Sequence, residues 1–483
     1  MSRQASASRP ARHGRAAAAD GLVRENTPTM SALEQISVDP CPVEVELRLP
    51  AGGRLAFVSD LHLAVSPFND FEAADELCEL VASLLEHPGE VILVLGGDVL
   101  DLLQVDAPRG EHAARILAGS SAVVAGEAVR RLAARPGATV VYLVGNHDAA
   151  LAWDGPSREL VAAHFGAGHV ALRARVVVES PAGEVRVIAE HGDALDRYNR
   201  RTDPFDPLDV PPGDHIVTEV VNRLETASLR YPRLALDQVD NVRPALMIPL
   251  WLVSSFFYRY MSQALRAFVA PLVALWLIVH LLATALVASD VYGLANFGNR
   301  ALRWTASVVL ADLALLLLLS TFLGRTFRRA AGAYGLPSPD EARRETATRR
   351  AGVPALLDLR DPGASVLVTG HTHEPDLVEF PDGRVTADAG CWVRGLVPVR
   401  ARLSLPPVFV PAYPVNWVEV GSEAEGVVVA LWQRRLKVEK RRLELLEWLA
   451  AKRPLPSHGA QGARVVASAL VAPRTAPATH PAG

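Results

Sequence analysis

The chain has 483 residues, enough for more than one domain, and its 50% hydrophobic content and mean hydropathy of +0.17 are high for a protein wholly in water, which predicts membrane segments. A net charge of -4 gives no electrostatic case for a nucleic-acid partner. Three scattered cysteines, Cys41, Cys78 and Cys391, fit a reducing compartment better than a disulfide framework.

Residues 1–42 begin as a tail rich in Ala, Arg and Ser, with no apolar run long enough for a signal peptide and with Met30 as an alternative start, and this tail reads as disordered. Order is expected from Val43, where VEVELRL alternates as a half-buried strand does. Arg54 to Ser59 is a second strand, Glu72 to Leu85 a helix, Val91 to Gly96 a buried strand, and Glu111 to Ala134 a helix. Thr139 to Val144 is another strand, and Val170 to Val178 pairs with Glu184 to Ala189. Alternating strands and helices make an α/β fold whose chemistry lies in loops beyond strand ends. The first part of this domain spans 43–213 and closes on the Pro-rich stretch before Asp214.

A helical insertion, 214–349, follows. Asp214 to Leu229 is an amphipathic helix, and Ala245 to Tyr260 is a short apolar, aromatic stretch suited to a membrane interface. Spans 267–289 and 304–324 are each about the 20 residues that cross a bilayer, and they predict a transmembrane hairpin. The basic bias of Arg259, Arg266, Arg325, Arg328 and Arg329 over the loop residues Arg300 and Arg303 places both flanks in the cytoplasm, so the expected location is a bacterial inner membrane, multi-pass, with the catalytic domain cytoplasmic. Each span carries one titratable residue, His280 and Asp312, expected at similar depth and paired across the hairpin. The first domain resumes over 350–453, with strands at Ser365 to Thr369, Arg384 to Trp392, Trp417 to Val420 and Gly426 to Trp432 and a charged helix from Lys437 to Ala451. Residues 454–483 read as a second disordered tail.

Five polar clusters occur in order, most of them after a predicted strand: Asp60-Leu61-His62, Gly97-Asp98, Gly145-Asn146-His147-Asp148, His191-Gly192-Asp193 and Gly370-His371-Thr372-His373. Hard oxygen and imidazole donors with one shared carboxylate are what a dinuclear hydrolytic site needs. Asp60, His62, Asp98 and one distal histidine suit one ion; Asp98, Asn146, His191 and the other suit the second. The ordered set SDLHL, GGDVLD, GNHD, HGD and GHTH resembles the calcineurin-like metallophosphoesterase superfamily.

That resemblance implies a two-sheet sandwich flanked by helices, two divalent metals (manganese first, iron or zinc as alternatives) and hydrolysis of a phosphorus ester or anhydride by metal-bridging hydroxide. It makes Asp60, His62, Asp98 and His373 ligands of one ion, and Asp98, Asn146, His191 and His371 ligands of the other. His147 matches the histidine that assists the leaving group, and Asp101 either orients it or is a turn residue, two readings the sequence leaves level. SDLHL and GGDVLD are similar to the branch that cleaves UDP-2,3-diacylglucosamine, which inserts an apolar lid where this chain has its hairpin; that branch has arginine at His147, and its lid is far shorter. The expected partners are therefore the lipid bilayer and a lipid-linked or small phosphorylated substrate, with Arg197, Arg200 and Arg201 as candidate phosphate contacts or an exposed basic loop. A membrane-tethered phosphatase or phosphodiesterase for soluble nucleotides or phosphoproteins is the alternative, and a non-catalytic scaffold is disfavoured by the full ligand set.

Overall fold

The computed structural model describes residues 38–474 apart from 66–70, 105–110, 231–237, 240, 244–246, 265–266, 268–269, 290–293, 334–338, 403–404, 439–442, 453 and 456–457. The expected first tail therefore lies, through residue 37, outside the described residues.

Two sheets carry the fold. The first takes β1 (Glu44–Leu49), β6 (Arg173–Ser180), β7 (Gly183–Glu190), β8 (Ala364–Thr369), β10 (Val385–Asp388) and β9 (Asp376–Glu379), in that spatial order. The second orders β15 (Gln461–Val471), β14 (Gly426–Arg435), β13 (Pro414–Glu423), β2 (Arg54–Val58), β3 (Val91–Gly96), β4 (Ala138–Leu143) and β5 (His169–Ala171). Their inner faces share one apolar core in which Phe57, Val94 and Val141 of the second sheet meet Val176, Val187 and Val366 of the first. The sequence VILVLG is buried along its whole length because alternate residues serve two cores: Ile92 and Val94 face the other sheet, while Leu93 and Leu95 face helices.

Those helices are α1 (Ala74–Leu85), α2 (His112–Leu117), α3 (Ser120–Ala133) and α4 (Gly155–Phe165). The single helix expected from Glu111 to Ala134 is broken at Gly119, which is extended. The run from Val170 to Val178 is likewise two strands in different sheets, β5 and β6, so the chain changes layer at Leu172.

The insertion starts with α5 (Pro212–Ile216), one π turn at Val217–Val221 and α6 (Asn222–Arg230). The stretch expected at a membrane interface is α7 (Ile248–Ala264), and protein covers one side of it. Leu250 and Trp251 pack with Leu396 and Phe409, Tyr258 packs with Val408 and Val410, and its hydroxyl donates to the Pro406 carbonyl at 2.5 Å. The strands it meets are β11 (Gly395–Val399) and β12 (Val408–Ala412).

The predicted hairpin spans fall on α8 (Ala270–Ser289) and α9 (Leu294–Ala333). Counted over the described residues alone, no helix is long and apolar enough to cross a membrane. The expected loop before Trp304 is helical from Leu294, so the equal depth expected for His280 and Asp312 does not follow from the helix ends. At 1.5 Å per residue, His280 lies about 13 Å from the end of α8 and Asp312 about 27 Å from the start of α9. The His280 ring instead meets the carbonyl of Trp276 at 2.9 Å and lies against its indole.

Helix α10 (Pro339–Arg360) covers the outer face of the first sheet, where Val353 and Leu357 meet Ile188 and Leu367. Near the end of the chain two expectations fail. The charged helix is confined, among the described residues, to α11 (Leu445–Ala450), opened by a capping box from Glu444 to Glu447. The expected second tail contains the eleven-residue strand β15, whose Ala469 and Val471 enter the core between the sheets.

Candidate metal centre

Every sequence-predicted ligand follows a strand. Asp60 and His62 follow β2, Asp98 follows β3, Asn146 follows β4, His191 follows β7, and His371 and His373 follow β8. Because β2, β3 and β4 run parallel in one sheet and β7 and β8 run parallel in the other, their carboxyl ends meet at one rim of the sandwich. Backbone bonds lock the loops there: Asp60 N–H to the Gly97 carbonyl at 3.1 Å, His62 N–H to the Asp98 carbonyl at 2.9 Å, and Gly370 N–H to the His191 carbonyl at 2.8 Å.

Asp60, His62, Asp98, His371 and His373 are the non-glycine residues with positive φ among the described residues. Such backbone costs about 1–3 kcal/mol per residue and persists where surrounding structure over-determines it. Glycines make room for this crowding. A Cβ at Gly97 would stand 2.6 Å from Nδ1 of His191, one at Gly145 would fall on Oδ1 of Asp98, and one at Gly370 on Oδ2 of Asp60.

The donors form two groups whose atoms lie within 4.8 Å of one another: Asp60, His62 and His373 in one, Asp98, His191 and His371 in the other. In the first, Nε2 of His373 is 3.0 Å from Asp60 Oδ1 and 3.1 Å from Nε2 of His62. In the second, Nε2 of His191 is 3.2 Å from Asp98 Oδ2, 3.2 Å from Nδ1 of His371 and 3.0 Å from Asn146 Oδ1. Asp98 joins the halves through its chain, since its carbonyl accepts from His62 and its Oδ1 accepts from the His147 N–H at 2.7 Å.

Imidazole nitrogens this close, beside carboxylates, suit hard divalent cations of mixed N and O ligation. The fit is strengthened at Asp60, whose buried Oδ1 faces the His373 imidazole at 3.0 Å without a hydrogen bond of good geometry. Burial and the neighbouring Arg243 cation bring the His373 pKa down to about 3, which keeps that imidazole in the neutral form a metal requires. Burial opposes charge on His62 too, but Asp101 and Asp60 outweigh it and raise its pKa to about 10.

Asp101 makes contacts of the kinds both readings call for. Its Oδ1 accepts from the Leu103 N–H at 3.2 Å, a turn bond, and lies 3.1 Å from Nδ1 of His147. Its Oδ2 is 3.3 Å from Nδ1 of His62, so one carboxylate stands beside both imidazoles. Burial disfavours a charged His147, yet Asp101 and Asp98 raise its pKa.

Three supporting residues escaped sequence reasoning. Asp196 Oδ2 sits 3.0 Å from Nε2 of His371 and orients it. Asp148, the last residue of GNHD, is fully buried and accepts from Tyr142 OH at 2.6 Å, Gly145 N–H at 2.6 Å and Val99 N–H at 3.1 Å, tying the β3 and β4 loops together. Asp388 takes the Thr372 hydroxyl at 2.8 Å and steadies the turn between the two distal histidines.

The candidate phosphate arginines fare differently. Both terminal nitrogens of the Arg201 guanidinium are engaged, by Asp214 and by the Asp209 carbonyl, and the side chain is 8% exposed. Arg197 lies over the Tyr198 ring at 4.6 Å, and Arg200 is exposed. None of the three lines the cavity of about 530 Å³ that opens beside His373. Its walls include Met247, Val353, Val393 and Val397, and also Arg243 and Arg349.

Residues 53–226 match the family model described as calcineurin-like phosphoesterase. No curated protein matches the chain. Among solved structures, a phosphopantetheinyl hydrolase from Mycobacterium tuberculosis is 15% identical, with 71% of this chain and 90% of that one covered at a TM-score of 0.23. A dimetal phosphatase from Danio rerio is 13% identical, with 76% of this chain and 95% of that one covered at a TM-score of 0.26.

Proposed function

We propose that this chain, whose residues 53–226 match the calcineurin-like phosphoesterase model, is a metal-dependent phosphoester hydrolase that cleaves a phosphorus ester or anhydride in a lipid-linked substrate while tethered at the cytoplasmic leaflet. The observation that carries the hydrolytic part is the meeting, at one rim, of carboxylates, imidazoles and an amide from five strand ends, with five of those seven residues at positive φ. Asp60, His62, Asp98 and His373 would hold one divalent ion, and Asp98, Asn146, His191 and His371 the other. Bound there, two such ions supply an activated water and neutralise charge on the phosphate oxygens.

The chain's own residues supply the rest. His147, whose pKa Asp101 and Asp98 raise against the opposing effect of burial, would give its proton toward the leaving oxygen. Asp101 fixes the direction of that ring, and the 2.7 Å bond from the His147 backbone to Asp98 fixes its distance from the shared ligand.

The substrate class rests on the cavity, whose apolar wall of Met247, Val353, Val393 and Val397 runs up to His373. Such a wall suits a substrate with an apolar body, which supports the lipid-linked reading. The tether rests on α8, twenty residues without Asp, Glu, Lys or Arg, which leaves Leu275, Ile278, Leu281 and Leu282 more than half exposed.

The test is hydrolysis of bis-p-nitrophenyl phosphate and of UDP-diacylglucosamine by detergent-solubilised protein with Mn(II), beside Asp98→Asn. Wild type should turn over both, and the variant should lose activity and about one metal equivalent per chain. A variant that keeps both metals and normal turnover refutes the site assignment; hydrolysis of the first substrate alone removes the UDP-diacylglucosamine identity.

A further inference from the structure

The cavity beside His373 carries charge as well as apolar wall. Arg243 comes from the insertion, Arg349 and Arg350 from α10, and Arg400 from the chain after β11. Against these four guanidinium groups stand Glu374, Asp376 and Asp388. Arg350 is held by Asp376 at 2.5 Å. The Arg349 Nε is buried with no hydrogen-bond partner. Arg243 lines the same cavity as the ligand residue His373. Leaving a buried guanidinium donor unmade costs more than an ordinary lost bond, and the planar fork suits phosphate oxygens.

We propose that Arg243 and Arg349 form a second anion subsite, which holds a charged group one step beyond the phosphorus at the metal centre, with the apolar wall receiving what lies further out. This deepens the hydrolase reading and rests on it. The substrate class it selects is a diphosphate bearing an apolar group, in preference to a phosphate monoester with the same group. One phosphorus sits at the imidazole cluster, the next phosphate meets the two guanidinium groups, and the chain or ring beyond packs on Met247, Val353 and Val397. A cavity of about 530 Å³ has the size of a small-molecule pocket.

The experiment compares dodecyl diphosphate with dodecyl phosphate, using full-length, detergent-solubilised protein with Mn(II) and bis-p-nitrophenyl phosphate as a reference. Wild type should prefer the diphosphate by at least about tenfold in kcat/KM, and Arg349→Gln and Arg243→Gln should each erase about tenfold of that preference, mostly through KM, as expected for a charged hydrogen bond. Arg243 also bonds the Leu396 carbonyl through its backbone, so Arg349→Gln carries the test if the other variant does not fold. No diphosphate preference in wild type, an unchanged preference in the variants, or an equal fall on both dodecyl substrates overturns the subsite. Failure of wild type on the reference substrate as well would instead remove the hydrolase reading beneath it.

Discussion

On the proposed assignment, His147 serves proton transfer and Asp101 links it to the ligand His62. The His147 side chain lies 3.1 Å from Asp101 and edge-on to the His62 ring at 4.7 Å, and its backbone bonds Asp98, a contact that alanine would retain. His147→Ala should therefore keep full metal content, read by elemental analysis, while kcat falls by about 10²–10⁴. Asp101→Asn should lose rate and also about 10–100-fold in metal affinity, because the same carboxylate braces His62. A His147→Ala protein depleted of metal, or an Asp101→Asn protein with wild-type affinity, would show the roles to be misassigned. The sequence shows these residues because each sits in a short motif just past an apolar run, where chain direction alone predicts convergence. Asp196 and Arg243 had no such signal. Asp196 is one of several aspartates in a polar loop, and Arg243 reaches the centre only because the insertion folds back onto β11 and β12.

At the scale of elements, hydrophobic alternation located the buried strands well and misjudged what happens where burial is one-sided or the chain changes layer. VILVLG reads as a buried strand without any structure, since every position is apolar. The division of the 169–180 run between two sheets left no trace, because both halves are β-like and the layer change is a single residue, Leu172. The last strand was missed for a different reason. QGARVVASALV lies in a stretch rich in small and polar residues, and only Ala469 and Val471 are buried. That strand pairs with β14 along nearly its whole length and seals the core beside Val427 and Val429. Deleting 454–483 should therefore destabilise the fold by several kcal/mol, the sum of about 1.5–3 for Val471 and the lost ladder, and expose an unpaired β14 edge. Thermal unfolding and size-exclusion chromatography check this; a truncated chain with unchanged Tm and no aggregation would make β15 dispensable.

For the whole molecule, the question is how the rim that gathers the ligands is held relative to its substrate. The insertion leaves the sandwich after β7 and returns before β8, so it begins and ends beside His191 and His371. One part of it, α7, is committed to protein through Trp251 and Tyr258, while on α8 and α9 Leu281, Leu310, Leu318 and Phe322 are exposed. Placing such surface in water is costly, at roughly 25 cal/mol per Å² of apolar area. On the proposed tether, a bilayer would remove that cost and at the same time raise the local concentration of a lipid-linked substrate near the metal rim. Full-length protein should then float with liposomes and resist alkaline carbonate, whereas Leu281→Asp with Leu282→Asp, each worth about 2.5–3.5 kcal/mol against insertion at a helix centre, should shift it toward the soluble fraction. The same variant should retain hydrolysis of bis-p-nitrophenyl phosphate, because neither leucine touches the ligand cluster, and should lose rate only on substrate presented in vesicles. Equal partitioning of the two proteins would leave the outward apolar face without a membrane role, and equal rates on vesicle-borne substrate would detach the tether from catalysis.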